Sequence, residues 1–174
     1  LATNQEVGSS NLSQFTKNTS TSMEKINISF DLTSSDYSCD LGFEIFYNDK
    51  LLLNTEHVKA RTPVAVALPA DPGEQQLRFV LKNKTADHTT VDDSGEIVKD
   101  AFLTISNFSI NDIELGDIFK QQCRYYHDFN GSQEPVDVPF YGDLGCNGEV
   151  VFGFQSPVYY WILESIPYRK SNHV

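Results

Sequence analysis

Hydrophobic and polar residues alternate along most of the chain after residue 23. In the first such run the apolar positions are separated by single polar residues, at Ile26, Ile28, Phe30 and Leu32. A period of two is typical of a half-buried β-strand. The same pattern recurs at residues 41–47, 64–68, 77–81 and 102–110. About nine strands at this spacing, joined by tight turns, predict an all-β antiparallel β-sandwich.

Short polar pairs divide these runs into hairpins. Asn48-Asp49 and Asn111-Asp112 predict turns, because Asn and Asp tolerate a positive φ. Asn147-Gly148 is the strongest hairpin signal in the chain. The alternation slips near Asn107-Phe108, which predicts a β-bulge in that strand.

The pattern weakens after Gly116. Residues 118–126 fit either a strand or an irregular crossover, and residues 131–139 are predicted to be a loop. Ser156-Pro157 resembles an N-cap followed by the first position of a short helix, residues 157–164. That helix is expected to turn Tyr160, Ile162 and Leu163 inward and to leave Trp161 partly exposed.

The ends of the chain differ in composition from its middle. Residues 1–22 are rich in Ser, Thr and Asn, and are predicted to be a flexible leader. Met23 is the only methionine and directly precedes a strand, which favours it as the natural start, with a leader that is not native. Residues 23–166 are predicted to be one sandwich domain, in which residues 116–166 form an extension. Residues 167–174 are predicted to be a tail.

Charge narrows the classes of partner. The 174 residues carry 13 basic and 24 acidic side chains, a net charge of −11. Phosphate backbones and anionic membranes require a basic patch, so we expect neither nucleic acid nor membrane as a partner. Neutral sugars and divalent cations are better suited than anionic partners to a negatively charged protein. The alternative is that the negative charge only keeps the protein soluble.

Cysteine usage and motifs argue against a disulfide framework and against catalysis. Three cysteines, an odd number, favour reduced thiols, and Cys123 with Cys146 is the pair that would bridge if any does. Cys123, His127 and Cys146 supply only three ligands of a zinc site. The chain contains no nucleophile, phosphate-binding or zinc-protease motif, so we predict that it is not an enzyme.

One polar loop, residues 83–100, has a composition suited to calcium. It contains Asp92, Asp93, Glu96 and Asp100, and calcium binds six to eight oxygens brought together by a loop. The spacing is not that of an EF-hand. The alternative is a solvated hairpin loop that turns at residues 93–95.

The segment LRFVLKNKTADHTTVDDSGEIVKDAFLTISNFSINDIEL, residues 77–115, resembles the calcium-dependent xylan-binding modules of families 36 and 60. These modules share a strand ending in Asn, a polar loop, an Asp and a long strand closed by a short turn. The resemblance extends over about residues 26–115 and implies a jelly-roll-like sandwich. The chain departs from the family pattern at residues 99–101, which read Lys-Asp-Ala.

The resemblance also implies a site. By position Asp100 is the best calcium ligand, followed by Asp92, Asp93 and Glu96, and Asn83 marks the end of the strand. Sugar binders present aromatic rings to the apolar faces of sugars. The candidate ligand-binding residues are therefore Asn83 together with the aromatic residues Tyr125, Tyr126 and Trp161; Tyr141 is a further aromatic candidate.

The chain from Met23 is also similar to small proteins of marine cyanophages, which share the aromatic-rich stretch of residues 156–164. The sequence thus predicts a non-catalytic carbohydrate-binding-like module of viral or environmental origin, with Ca²⁺ as its cofactor. The alternative is a structural or decoration protein of a virus particle that contacts other virion proteins. Either protein would be made in the cytoplasm of a bacterial host.

Overall fold

Two antiparallel sheets account for most of residues 24–166, the part of the chain that this computed structural model describes. The predicted leader (residues 1–22), the proposed start at Met23 and the predicted tail (residues 167–174) lie outside the described residues. Within residues 24–166, no helix is long and apolar enough to cross a membrane.

The helices and strands follow one another in an order that sends the chain repeatedly between the two sheets. The elements are β1 (Lys25–Ser34), β2 (Gly42–Tyr47), β3 (Lys50–Thr55), β4 (Thr62–Pro69), β5 (Gly73–Lys82), a 3-10 turn (Ala86–His88), β6 (Thr89–Val91), β7 (Ile97–Asp100), β8 (Leu103–Ile110), β9 (Ile113–Glu114), α1 (Asp117–Gln121), β10 (Cys123–His127), β11 (Val136–Pro139), β12 (Asp143–Leu144), β13 (Gly148–Ser156) and α2 (Val158–Ser165).

The smaller sheet has the order β12-β8-β1-β4, with β9 also paired to β8, and the larger sheet has the order β11-β10-β13-β5-β2-β3. Strands β6 and β7 form a separate hairpin. The two sheets pack face to face through phenylalanine side chains. Phe30 of β1 lies edge-on to Phe79 of β5, with ring centroids 5.6 Å apart. The predicted jelly-roll-like β-sandwich with a short C-terminal helix is confirmed.

A β-bulge at Asn107 sets which residues of β8 face the core. The register of the β1–β8 pair shifts between Ser29 and Asp31 of β1, and Asn107 of β8 has a φ of 55°. Without the extra residue, Phe108 would point to solvent, because side chains alternate between faces. Asn107 Nδ2 donates to Asp31 Oδ2 at 2.8 Å. This hydrogen bond is the largest cause, and that of Arg61 the second, of a pKa of Asp31 below its usual value.

Two of the predicted turns are confirmed. Asn48 and Asp49 have φ values of 43° and 69°, and Asn111 and Asp112 have values of 48° and 64°. Such mirror-image turns match the right-handed twist of the strands that they join.

The predicted hairpin at Asn147 is wrong. The strand before Asn147, β12, pairs with β8 in the smaller sheet, whereas β13 belongs to the larger sheet. The chain therefore crosses between sheets here instead of folding back. Asn147 uses its side chain to accept from the Lys84 backbone N–H at 2.9 Å and to donate to the Lys84 carbonyl at 2.8 Å.

The second half of the chain contains more regular structure than its pattern indicates. Residues 118–126 form neither one strand nor an irregular crossover, because α1 ends there and β10 begins. The predicted loop at residues 131–139 contains β11, a short edge strand on the larger sheet. Strands of this length carry too few residues for a recognisable alternation.

Helix α2 turns a different face to the core from the one predicted. Val158, Trp161 and Ile162 are buried, at the i, i+3 and i+4 spacing of one helix face. Tyr160 and Leu163, which were predicted to face inward, are exposed. The rotation has a physical cause: the largest apolar side chain, Trp161, packs against the phenylalanines of β13 and sets the buried stripe.

The bulge gives a direct test of the sandwich. We expect Asn107→Val to lower the free energy of unfolding by about 2 kcal/mol, because a β-branched residue is strained at positive φ. Asn107→Gly removes the same side chain but adopts this conformation without strain. Urea denaturation of both variants measures the difference, and equal losses would contradict the assignment.

Candidate ligand-binding groove

A groove of about 490 Å³ opens where β13 extends past the first residue of β10. Cys123 of β10 pairs with Phe152, whereas β13 continues to Ser156 beside β5. Residues 153–156 therefore have a strand neighbour on one side only. Alternate backbone N–H and C=O groups of this segment point away from β5, as they do at any sheet edge.

Polar side chains surround the groove. Gln76 lies opposite Gly153 in the β5–β13 pair, and Glu74 lies opposite Gln155. Gln122 directly precedes β10 on the other side. All of these residues are exposed, and the side chains of Glu74, Gln76, Gln122 and Gln155 make no hydrogen bond with another residue in the range 24–166. Within the described part of the chain, their donors and acceptors are thus open to a ligand or to water.

The floor of the groove is Gly153. A Cβ atom built at this position would meet no atom within 4 Å, and the backbone there does not require glycine. A ligand can therefore approach the main chain of β13 closely.

Trp161 forms one wall of the groove. Its ring packs edge-on against Phe152 at a centroid distance of 5.8 Å and against Phe154 at 6.1 Å. The side chain is 8% exposed, so the predicted partly exposed platform is wrong. Trp161 nevertheless lies among the residues that line the groove.

A buried amide holds the opposite wall in place. Gln75 Oε1 accepts from Tyr47 Oη at 2.5 Å and from Asn48 Nδ2 at 2.9 Å, and Gln75 Nε2 donates to the Asp71 carbonyl at 2.8 Å. Asn48 Oδ1 in turn accepts from the Gln76 backbone N–H at 3.0 Å. Burial raises the pKa of the Tyr47 hydroxyl. This network orders the Asn48 turn before any ligand arrives.

The arrangement suits an uncharged ligand rich in hydroxyl groups. Amide side chains both donate and accept hydrogen bonds, as hydroxyls do. Sequence reasoning missed the groove, although Gln75-Gln76, Gln121-Gln122 and Gln155 are visible as amides at the ends of apolar runs. Only the pairing of β5 with β13 brings them together.

The predicted calcium loop is a hairpin closed by Asp92. Asp92 Oδ1 accepts from Ser94 N at 2.9 Å, from Ser94 Oγ at 2.6 Å and from Glu96 N at 2.9 Å. These hydrogen bonds, that of the Ser94 hydroxyl first, hold the pKa of Asp92 below its usual value. Asp93 and Glu96 are exposed.

Asp100 is bound by a lysine. Its Oδ1 lies 2.6 Å from Lys84 Nζ and accepts from Thr89 Oγ1 at 2.7 Å. No group of three or more His, Cys, Asp or Glu side chains within residues 24–166 is placed to hold a metal ion. A carboxylate paired with an ammonium does not fit calcium, which requires six to eight oxygens. Calcium binding stays a prediction, and the four acidic residues do not converge on one point.

The other predicted ligand residues lie elsewhere. Asn83 is exposed, with a φ of 67°, and donates to Glu56. Tyr125 is buried and exchanges hydrogen bonds with the Cys146 backbone, so it is no platform, and burial raises the pKa of its hydroxyl. Tyr126 is 40% exposed, as a platform requires, but pairs with Glu149, four residues from the groove floor.

The last aromatic candidate, Tyr141, is exposed and lies outside the groove.

The three cysteines are free thiols. Cys123 is buried, which raises its pKa and makes it a poor nucleophile.

No family model matches the chain, and no curated protein matches it in sequence. Two solved structures are similar to it at 12% identity. One is a selenomethionine form of vCBM60, described with two families of calcium-dependent carbohydrate binding modules, which has a TM-score of 0.49 and is aligned over 74% of this chain and 90% of the module. The other is vCBM60 in complex with galactobiose, with a TM-score of 0.44 and coverage of 73% and 97%.

These neighbours are modules of family 60, one of the two families in the sequence resemblance. The fold class is established by the strand pairing of the chain itself. Family 36 and the phage origin stay predictions.

Substitutions of the neighbouring residues Gln75 and Gln76 give a matched test of the hydrogen-bond network around Gln75. We expect Gln75→Leu to lower the free energy of unfolding by about 2 kcal/mol, because it leaves buried polar partners of Gln75 unpaired. Gln76→Leu removes an exposed amide that has no side-chain partner among residues 24–166, and it should change the free energy of unfolding by less than about 0.5 kcal/mol. Urea unfolding followed by the fluorescence of Trp161 measures both. Similar losses in the two variants would contradict the network.

Proposed function

We propose that this protein is a non-catalytic carbohydrate-binding module whose ligand lies in the groove over Gly153. The observation that carries the proposal is the set of polar side chains, unpaired within residues 24–166, that lines the groove together with Gly153 and Trp161. A concave surface with a few converging polar groups and an aromatic wall is the usual form of a small-ligand site.

The chemistry of the lining favours a sugar. Gln76, Gln122 and Gln155 offer amide oxygens and nitrogens within one groove, and a sugar ring presents hydroxyls that both donate and accept. The apolar C–H groups of a sugar can pack against the indole of Trp161. Because Gln75 and the adjacent turn are already ordered, binding costs little conformational entropy on that side.

The charges of the groove favour a neutral glycan and no hydrolysis. Glu74 is the one carboxylate that lines the groove in the described part of the chain. Hydrolysis of a glycosidic bond ordinarily requires two carboxyl groups that flank it. Together with the net charge of −11, Glu74 disfavours polysaccharides that carry carboxylates or sulfates. The proposed function does not involve calcium, because the Lys84 ammonium already binds the Asp100 carboxylate.

Affinity electrophoresis in gels containing xylan, galactan, mixed-linkage glucan or galactomannan tests the proposal. We expect at least one of these neutral polysaccharides to retard the wild-type protein, and polygalacturonate not to do so. Gly153→Leu fills the groove floor and should weaken binding at least about tenfold, because steric exclusion removes several contacts at once. Gln76→Ala and Gln122→Ala should each weaken it about fivefold.

Ala67→Leu is the matched control. It adds a side chain of similar bulk to an exposed strand position on the other sheet, so it should leave retardation unchanged. Loss of binding in Gly153→Leu with unchanged thermal unfolding places the sugar in the groove. A wild-type protein that no glycan retards, or a Gly153→Leu variant of full affinity, refutes the proposal.

The alternative function, a structural protein that contacts other virion proteins, draws support from α2. Tyr159, Tyr160, Leu163 and Ile166 are all at least half exposed on or directly after this helix. Contiguous apolar surface of this kind favours a protein contact. A virus particle as the setting is inferred from the sequence resemblance alone.

Sedimentation velocity tests this alternative for self-assembly. We expect a structural role to show as a concentration-dependent oligomer that Leu163→Glu weakens about tenfold or more, because a charge is then buried in an apolar interface. Ile97→Glu, on the separate β6–β7 hairpin, is the control. A monomer over the whole concentration range, combined with glycan binding, favours the carbohydrate-binding function.

A further inference from the structure

Lys84 carries a buried ammonium group. Its side chain is 2% exposed, although it directly follows Lys82 and Asn83 at the surface end of β5. Within residues 24–166, Lys84 is the one charged residue that belongs to the buried class. A charge removed from water is costly unless oxygens replace its hydration shell, so this position needs a specific explanation.

Oxygens from two other segments surround the ammonium. Nζ lies 2.6 Å from Asp100 Oδ1, at the end of β7, and donates to the Gly145 carbonyl, just after β12. Thr89 Oγ1, at the start of β6, donates to the same Asp100 Oδ1 at 2.7 Å and so lies next to this pair. One carboxylate, one carbonyl and one hydroxyl are the kinds of ligand that a hard cation binds.

The backbone of Lys84 is fixed as well. Asn147 accepts from its N–H and donates to its carbonyl, at 2.9 and 2.8 Å. The main chain at Lys84 is thus held in place, and the side chain is held by its own bonds to Asp100 and Gly145. Lys84 therefore joins the β6–β7 hairpin to the crossover between β12 and β13, where its partner Gly145 lies 61 residues further along the chain.

We propose that the Lys84 ammonium is a resident cation in an oxygen-lined cation site. The positive charge that links the β6–β7 hairpin to the body of the sandwich is supplied by the chain itself, so the fold takes no divalent ion at Asp100. Truncation of Lys84 leaves a vacant site beside the Asp100 carboxylate and the Gly145 carbonyl, which Ca²⁺ can enter with water supplying the rest of its six to eight oxygens. This inference is independent of the groove and of its ligand.

Thermal unfolding with added calcium tests the proposal. The melting temperature of the wild-type protein should be the same, within about 1 °C, in EGTA and in about 5 mM CaCl₂. Lys84→Ala should melt roughly 10 °C lower in EGTA, because Asp100 is left without its partner. Calcium should then raise the melting temperature of Lys84→Ala by about 3 °C or more. Magnesium at the same ionic strength controls for screening.

Three further variants keep the test decisive. Lys84→Met preserves the volume but leaves no space, so it should lose stability without gaining a response to calcium. Lys50→Ala, an exposed lysine with no ion pair among residues 24–166, should change nothing. If Lys84→Ala does not fold, Asp100→Asn replaces it and should also melt lower, because the ammonium stays buried without a carboxylate. The proposal is overturned if calcium stabilises the wild-type protein, or if calcium restores nothing to a folded Lys84→Ala.

Discussion

The edge-on contact between Phe79 and Phe108 joins the two sheets, and the rest of the molecule depends on it. The ring centroids are 6.1 Å apart with an interplanar angle of 88°, the geometry that aromatic quadrupoles favour. Phe108 reaches this contact because the bulge at Asn107 shifts the alternation of β8 by one residue. Phe119 of α1 stacks on Phe108 at 3.9 Å and closes the side of the sandwich that the two sheets leave open.

The groove forms at the end of the aromatic core, where β13 extends past β10. Strand β13 carries Phe152 and Phe154 into the core and outruns β10, so its last residues lack a strand on one side. Trp161 covers the two phenylalanines from α2 and thereby becomes a wall. The floor is open because residue 153 is glycine. The same packing that stabilises the end of the sandwich thus shapes a polar recess, and the amide side chains of Gln76, Gln122 and Gln155 in it have no partner among residues 24–166.

Charge is distributed in two distinct ways. Most ion pairs of the described residues lie at the surface, such as Arg124 with Asp137, and contribute little to stability because water screens them. Lys84 differs, since its ammonium is enclosed and links segments that no sheet joins. Recognition at the groove depends on neutral amides, whereas attachment of the β6–β7 hairpin depends on a buried charge. The two can therefore be altered separately.

Strands β1, β2, β4, β5 and β8, the turns at Asn48 and Asn111 and the bulge followed from the sequence alone, because side-chain alternation and the tolerance of Asn for positive φ are local properties. The sandwich followed from their number and spacing. Tertiary structure alone decided that Gln76 faces Gly153, that Asn147 clamps Lys84 instead of closing a hairpin, and that α2 buries Trp161. These outcomes depend on contacts between residues far apart in the chain, and a one-dimensional pattern carries no information on which strands become neighbours.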